Sequence, residues 1–207
     1  MKKEIEIILE GLEGFKNPKI YLEQYVTPSN LAAFIVTNAK LFGDLDLVVD
    51  LGCGTGILTI ASAMLGAFAI GVDVDDEALK IAKRNAKKLG AEVDFVACDV
   101  GELKVKRRVT VIMNPPFGIQ RRHADRVFLE KAFEIAEKIY TIHSAGSEDF
   151  VKRSAEKNGF RVTHVWKFTV PLRKTYSFHE KPFKEIAVEV FRIEKESRNS
   201  RGQDRDG

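Results

Sequence analysis

One short loop constrains the fold of this chain more than any other feature. Three alternating glycines, Gly52, Gly54 and Gly56, follow the apolar run 45–51 and precede an apolar segment, 57–65, that is predicted to be helical. Glycine permits both a tight turn and a close approach between the backbone and a ligand. A strand, a glycine-rich turn and a helix in this order indicate the first unit of a parallel α/β sheet.

The alternation of strands and helices continues along the whole chain. Further strands are predicted at 68–72, 93–97, 109–113 and 139–143, and helices at 3–14, 28–41, 76–89, 124–138 and 147–158. Two long runs, 160–170 and 183–193, predict an antiparallel pair. We therefore predict an α/β fold with a Rossmann-like, seven-stranded, mostly parallel sheet, an antiparallel hairpin at its end and helices on both faces.

The domain organisation is predicted to be simple. Residues 1–193 form one domain, in which residues 1–42 are an N-terminal helical lid, and the polar residues 194–207 form a flexible tail. Because the two cysteines, Cys53 and Cys98, form no CxxC pair, we expect no metal site and no disulfide framework. No apolar run is as long as a membrane span and the N-terminus lacks a secretory signal, so the expected location is cytoplasmic.

A second motif, Asn114-Pro115-Pro116-Phe117, directly follows the strand predicted at 109–113. Ligands of open α/β sheets bind at the carboxyl ends of the strands. Asn114 offers a carbonyl oxygen, Pro115 offers only its backbone carbonyl because it lacks an N–H, and Phe117 offers a face for stacking. These groups suit the binding of a flat, amine-bearing substrate, although Asn-Pro is also a common turn opener.

Acidic residues lie at the ends of the first three predicted strands. Asp50 precedes the glycines by two positions, Asp73 ends the second strand and Asp99 follows the third. An acid at the end of the second strand binds ribose hydroxyls in nucleotide-binding folds. Ile57 occupies the sixth position of G-x-G-x-x-G, where a dinucleotide fingerprint needs glycine, and this disfavours a nicotinamide cofactor.

Several stretches resemble known methyltransferases. The D-x-G-x-G-x-G loop resembles motif I of the class I methyltransferases, which bind S-adenosylmethionine, and Asn-Pro-Pro-Phe resembles the [DNS]-P-P-[YFW] motif of amino-methyltransferases. Tyr21-Leu-Glu-Gln-Tyr-x-Thr-Pro, Ala63-Met-Leu-Gly-Ala and Tyr176-Ser-Phe-His extend the resemblance over roughly residues 1–193. Together they resemble the methyltransferase-like family that makes N6-methyladenosine in small-subunit ribosomal RNA.

This resemblance implies a class I methyltransferase fold, S-adenosylmethionine as cofactor and an adenosine N6 amine in RNA as the methyl acceptor. Catalysis then falls on Asn114, Pro115, Pro116 and Phe117. The implied cofactor contacts are Gln24, Thr27, Gly52, Gly54, Thr55, Ile57, Asp73, Asp99 and Val100. For Thr27 we favour a different interpretation, as N-cap of the helix predicted at 28–41.

The RNA surface and a protein partner are further expectations. Basic, aromatic and histidine residues around the motif are candidates for RNA contacts: Arg121, Arg122, Arg173, Lys174, Tyr176 and His179. Another basic cluster lies at 104–108, and any such cluster can also be a solvated face. By the resemblance, a small zinc-binding activator subunit adds a strand at the predicted sheet edge Val93–Ala97, where self-association is the alternative.

Other functions remain open at the level of sequence. A DNA adenine methyltransferase and a protein-glutamine methyltransferase share the same planar amine chemistry. The absence of a target-recognition domain disfavours a self-sufficient DNA enzyme. A non-catalytic RNA-binding module is a different class, and the intact Asp50, Asp73 and Asn114 argue against a decayed site.

Overall fold

A computed structural model of the 207-residue chain describes residues 1–118, 124–173 and 183–196. Two short 3-10 turns, Ile20–Leu22 and Val100–Glu102, accompany the regular elements. In chain order these are α1 (Lys2–Glu10), α2 (Ser29–Leu41), β1 (Leu47–Leu51), α3 (Ile57–Met64), β2 (Phe68–Asp73), α4 (Asp76–Leu89), β3 (Val93–Ala97), β4 (Val109–Met113), α5 (Ala124–Ile135), β5 (Ala136–Ser144), α6 (Glu148–Lys157), β6 (Phe160–Arg173) and β7 (Phe183–Lys195).

The strands form one seven-stranded sheet in the order β3-β2-β1-β4-β5-β7-β6. Strands β1 to β5 are parallel, and β7 runs antiparallel to both β5 and β6. The predicted fold class, with its terminal antiparallel hairpin, is confirmed. Because the strand order reverses between β1 and β4, a crevice opens outside their carboxyl ends, where ligands of this architecture bind.

Two apolar cores lie on opposite faces of the sheet. Successive residues of β1 point to opposite faces, so Val48 packs against α2 and α3 while Val49 packs against α5. Helices α1, α2 and α3 supply one core, and α5 and α6 supply the other. Burial on both faces explains why β1 and β4 read as continuous apolar runs.

A buried polar network fastens β7 to the loop before β1. The Asp44 carboxylate accepts hydrogen bonds from the Tyr140 hydroxyl (2.6 Å) and from Arg192 Nε (2.8 Å). The Arg192 guanidinium lies 4.5 Å from the centre of the Phe42 ring. A buried ion pair of this kind depends on having both partners, because a single buried charge is costly.

Several element boundaries differ from the sequence prediction. Helix α1 ends at Glu10 instead of residue 14, and α5 ends at Ile135 because the chain enters β5 at Ala136, beside a register shift in β4. Strand β7 continues to Lys195, so the first two residues of the predicted tail are in the sheet. Glu194 is held there by Arg161, Lys138 and Arg192, and residues 197–207 lie outside the described residues.

No helix in the described ranges is long and apolar enough to cross a membrane.

Candidate active site

A cavity of about 310 Å³ lies at the switch point between β1 and β4. Its walls are the loop after β1, the ends of β2 and β4, the turn after β3, the segment before α2 and the first part of α5. Its volume falls within the range of small-ligand sites. All nine predicted cofactor-binding residues line it: Gln24, Thr27, Gly52, Gly54, Thr55, Ile57, Asp73, Asp99 and Val100.

The glycine-rich loop has a conformation that requires glycine. Gly52 has a φ of 71°, and an added Cβ would lie 2.8 Å from Cε1 of Phe128. At Gly54, with a φ of 52°, a Cβ would lie 2.8 Å from Cζ of Phe15. The N–H groups of Gly52 and Cys53 both donate to the Val72 carbonyl oxygen (2.8 and 3.0 Å). The loop is thereby attached to β2 and enclosed between two aromatic rings.

Asp50, which lines the cavity, has one carboxylate oxygen without a hydrogen-bond partner among the described residues. Its Oδ2 accepts two hydrogen bonds from Thr59, from the backbone N–H (3.0 Å) and from the hydroxyl (2.7 Å). Its Oδ1 is buried and has no hydrogen-bond partner among the described residues. Burial raises the pKa of Asp50 to about 7, although the Thr59 hydrogen bonds act in the opposite direction. A buried acceptor without a donor costs free energy, so this oxygen is suited to a ligand that brings a proton donor or a positive charge.

Asp73 and Gln24 form the rim of the cavity next to α4. The Asp73 carboxylate accepts one backbone N–H on each oxygen, from Gly54 and from Asp75, both at 2.8 Å. Burial raises the pKa of Asp73. Gln24 Nε2 donates to Asp75 (2.7 Å), and the same carboxylate caps α4 through the N–H of Glu77. The rim is therefore a hydrogen-bonded unit that presents carboxylate oxygens to the cavity.

The charge around the cavity has one sign. Four acidic residues, Glu23, Asp50, Asp73 and Asp99, line it, and none of the described residues in its wall is Lys or Arg. Charges lining a low-dielectric cleft focus the field on the bound ligand. The cavity therefore favours a ligand with positive charge and disfavours the pyrophosphate of a dinucleotide.

The Asn-Pro-Pro-Phe motif lies where β4 ends, against residues 23–27, which we call the strap. Asn114 Oδ1 accepts from the Tyr25 hydroxyl (2.8 Å), and Asn114 Nδ2 donates to Thr27 Oγ1 (2.9 Å). The Phe117 N–H donates to the Glu23 carboxylate (2.8 Å), and the Phe117 and Tyr25 rings are 5.5 Å apart at 46°. Asn114 and Pro116 line the cavity, whereas Pro115 is buried and Phe117 lies beside the strap.

The expectation that Thr27 caps α2 was wrong. The helix begins at Ser29 with Pro28 at the N-cap position, and this N-cap residue makes no side-chain capping hydrogen bond. Thr27 is therefore one residue too early to reach the first free N–H groups of the helix. Its hydroxyl instead accepts the hydrogen bond from the Asn114 side chain.

Sequence reasoning misses several residues of the site. It counts Asp50 among the acids at strand ends but assigns it no ligand contact, and it gives no role to Glu23, Tyr25, Phe15 and Phe128. One signal is present for the strap, since residues 23, 25 and 27 alternate as the contacts of an extended segment do. No local signal indicates that Phe15 and Phe128 enclose the glycines.

Most of the predicted RNA contacts fall in segments that the structure does not describe. Five of the six lie outside the described residues: Arg121, Arg122, Lys174, Tyr176 and His179. The sixth, Arg173, is the last residue of β6. In the basic cluster at 104–108, Arg108 donates to the carbonyl oxygen of Glu134 (2.6 Å) at the end of α5. It also immediately precedes β4, so it lies at the opposite end of that strand from Asn114.

Comparison with known proteins is consistent with this geometry. Residues 33–163 match the family model "Methyltransferase small domain". The chain is 46% identical to an uncharacterized protein of Methanocaldococcus jannaschii, over 94% of each chain. It is 36% identical to the rRNA N(6)-adenosine-methyltransferase METTL5 of Danio rerio, over 92% of this chain and 97% of the relative. The crystal structure of a candidate RNA methyltransferase from Pyrococcus horikoshii superposes with a TM-score of 0.87 at 42% identity, covering 94% of this chain and 97% of that one.

Proposed function

The chain belongs to the methyltransferase small domain family, and from that premise we propose that it transfers a methyl group from S-adenosylmethionine to the N6 amine of an adenosine in RNA. The near full-length similarity to an rRNA N(6)-adenosine-methyltransferase supports the substrate class. The acidic cavity beside an Asn-Pro-Pro-Phe loop supports the cofactor and the type of acceptor.

One observation carries the cofactor assignment, namely the unpartnered Oδ1 of Asp50 in a cavity whose described wall has acids and no basic side chain. S-adenosylmethionine brings a sulfonium, an ammonium group and a nucleoside. We assign the ammonium group to Asp50, the ribose hydroxyls to Asp73 and the adenine ring to Asp99 and Val100. Each carboxylate oxygen of Asp73 accepts one N–H within the protein, which leaves a second lone pair for a hydroxyl.

The Asn-Pro-Pro-Phe residues are suited to making the adenine amine a better nucleophile. The lone pair of an adenine amine is delocalised into the ring, which makes the nitrogen a poor nucleophile. Hydrogen bonds from its two N–H groups to Asn114 Oδ1 and to the Pro115 carbonyl draw the nitrogen toward tetrahedral geometry. Phe117 stacks on the base and fixes its angle relative to the methyl group, the electrophile that the bound cofactor supplies. With the cofactor bound, the S–CH₃ bond would break as the N–C bond forms, leaving a neutral thioether, and the nitrogen would release one proton to water, so no strong base is required.

The proposed target is an adenosine in small-subunit ribosomal RNA. The decisive experiment incubates the protein with methyl-labelled S-adenosylmethionine and separate RNA, DNA and protein fractions, followed by nucleoside mass spectrometry. We expect N6-methyladenosine in small-subunit rRNA with the wild type and about 10²- to 10³-fold slower formation with Asn114→Ala. Label in DNA or in glutamine would show that the methyl acceptor is not RNA. RNA binding without methyl transfer would identify a non-catalytic module. Calorimetry with S-adenosylmethionine and NAD tests the cofactor separately.

We also propose that a small zinc-binding activator subunit pairs with β3. This strand is an edge of the sheet, because among the described strands it pairs only with β2. An open edge offers unpaired backbone groups to an incoming strand. Val96 on this edge is 41% exposed.

The partner proposal is tested by light scattering of the chain with and without a co-expressed candidate subunit. We expect a heterodimer with the wild type and loss of complex with Val96→Lys. Leu41→Lys is the matched control, since Leu41 is an exposed apolar residue (73%) at the end of α2. A monomer under all conditions would refute the proposal, and a homodimer disrupted by Val96→Lys would assign the edge to self-association.

A further inference from the structure

We propose that Tyr25 and Thr27 determine which end of the Asn114 side-chain amide faces the substrate, and that Tyr25 is therefore a positioning residue for methyl transfer. This inference rests on the proposed function, in which the Asn114 carbonyl oxygen must accept a hydrogen bond from the amine. It assigns a role to a phenol that has no cofactor or substrate contact in the sequence-based assignment.

The strap meets the catalytic motif through every second residue. Glu23 accepts the Phe117 N–H, Tyr25 donates to Asn114 Oδ1 and Thr27 accepts from Asn114 Nδ2, at 2.8, 2.8 and 2.9 Å. Gln24, between the first two, points the other way and donates to Asp75 at the cofactor rim (2.7 Å). One short segment thus holds the motif on one side and the rim on the other.

The two hydroxyl groups differ in how they pair with an amide. A phenol is a stronger proton donor and a weaker acceptor than an aliphatic hydroxyl, because its oxygen lone pair is delocalised into the ring. Burial also raises the pKa of the Tyr25 phenol, so the hydroxyl keeps its proton. Tyr25 is therefore the natural partner of the amide oxygen, and Thr27 is the natural partner of the amide nitrogen.

The orientation of the Asn114 side-chain amide determines whether it can accept a hydrogen bond from the substrate amine. A carbonyl oxygen has two lone pairs, so Asn114 Oδ1 can accept from Tyr25 and from the substrate at the same time. The reversed amide would place two N–H donors against the two N–H donors of the amine, which cannot bond to each other. Removing the phenol hydroxyl weakens the preference for the productive orientation without removing any atom that touches the substrate.

The strap also has an unusual backbone at its start. Glu23 has a φ of 52°, and it is the one non-glycine residue with positive φ in the described part of the chain. Such a conformation is strained and persists where the surroundings enforce it. Glu23 is the C-cap of the 3-10 turn Ile20–Leu22, and its backbone N–H donates to the Ile20 carbonyl oxygen (2.9 Å).

The test is a double-mutant cycle between Tyr25→Phe and Asn114→Ala, read as kcat for RNA methylation. We expect Tyr25→Phe to lower kcat about tenfold while the KM for S-adenosylmethionine stays unchanged and the protein stays folded at the assay temperature. In the Asn114→Ala background, Tyr25→Phe should cause no further loss, because its effect passes through the amide. Thr27→Ser should restore the activity that Thr27→Val loses. A wild-type kcat in Tyr25→Phe, or an equal tenfold loss in both backgrounds, would overturn the proposal.

A second measurement separates this inference from the proposed function. In ¹⁵N-labelled protein, the Asn114 side-chain NH₂ should show nuclear Overhauser contacts to the Thr27 methyl group, and these should weaken in Tyr25→Phe. This readout needs no catalysis. If the wild type methylates no RNA, the proposed function fails while the orientation of the amide is still decided. If RNA is methylated and the Thr27 contacts are missing in the wild type, the positioning role fails alone.

Discussion

Binding of S-adenosylmethionine should weaken steeply in mild acid, because Asp50 must be ionised to hold a cation. Its pKa is raised to about 7 by burial, and Oδ1 has no other partner among the described residues. With a pKa of about 7, the ionised fraction falls from about one half at pH 7 to about 3% at pH 5.5. If only the ionised form binds the ammonium group, the apparent Kd should rise about 16-fold over this interval. The ammonium group itself remains protonated throughout.

Isothermal titration calorimetry at pH 5.5, 6, 6.5 and 7 measures this dependence. Asp50→Asn should bind roughly 30-fold more weakly at pH 7, for a loss of about 2 kcal/mol from one charge-assisted hydrogen bond, and its Kd should depend less on pH. The matched control is Asp94→Asn, on the exposed part of β3, which should keep the wild-type profile. Burial also raises the pKa of Asp73. Comparing the pH dependence of Kd in wild type and Asp50→Asn separates the contribution of Asp50 from that of Asp73.

A flat wild-type profile between pH 5.5 and 7 would show that the charge of Asp50 does not hold the cofactor. An equal acid loss in wild type and Asp50→Asn would also do so, because the titrating group would then be a different one.

Three further predictions concern catalysis and stability. Asn114→Ala should lower kcat by about 10²- to 10³-fold in a methyl-transfer assay with little change in cofactor Kd, and a wild-type kcat would exclude its role. Burial lowers the pKa of His143 from 6.5 to about 4. As pH falls from 6.5 toward 4, this histidine is protonated in the unfolded state but not in the folded state, which destabilises the fold. Between pH 7 and 4.5, the free energy of unfolding measured in urea should therefore fall by about 2 kcal/mol less for His143→Gln than for wild type. The same pH dependence of the unfolding free energy in both proteins would contradict this. Arg192→Met should cost about 3–5 kcal/mol of unfolding free energy by leaving the Asp44 carboxylate buried without its cation, whereas a change below about 1 kcal/mol would show that Asp44 finds another partner.

The fold could be predicted because the sequence patterns that indicate each strand and turn lie within that element. Continuous apolar runs such as 47–51 and 109–113 occur where a strand is buried on both faces, and glycines such as Gly52 mark the turn that follows. The prediction failed where one sequence pattern fits two different structures. Thr27 before Pro28 suits a helix cap as well as a side-chain contact, and only the start of α2 at Ser29 decided between them.

The candidate site was predicted in part, for a related reason. Acids at strand ends converge because parallel strands present their carboxyl ends at one edge of the sheet, so the sequence suffices to place Asp73 and Asp99 together. The enclosure of the glycines by Phe15 and Phe128 has no such periodic signal. Those rings come from segments whose approach depends on helix packing across the sheet.

The order of strands and helices, the glycine loop and the polar groups at the carboxyl edge follow from the sequence alone, because each depends on residues that are close along the chain. Long-range packing is needed to leave Asp50 Oδ1 unpartnered among the described residues and to bring Tyr25 to Asn114, 89 residues away. Hydrogen bonds over such separations have no local signature, since they exist only when packing brings both groups together and excludes water from them.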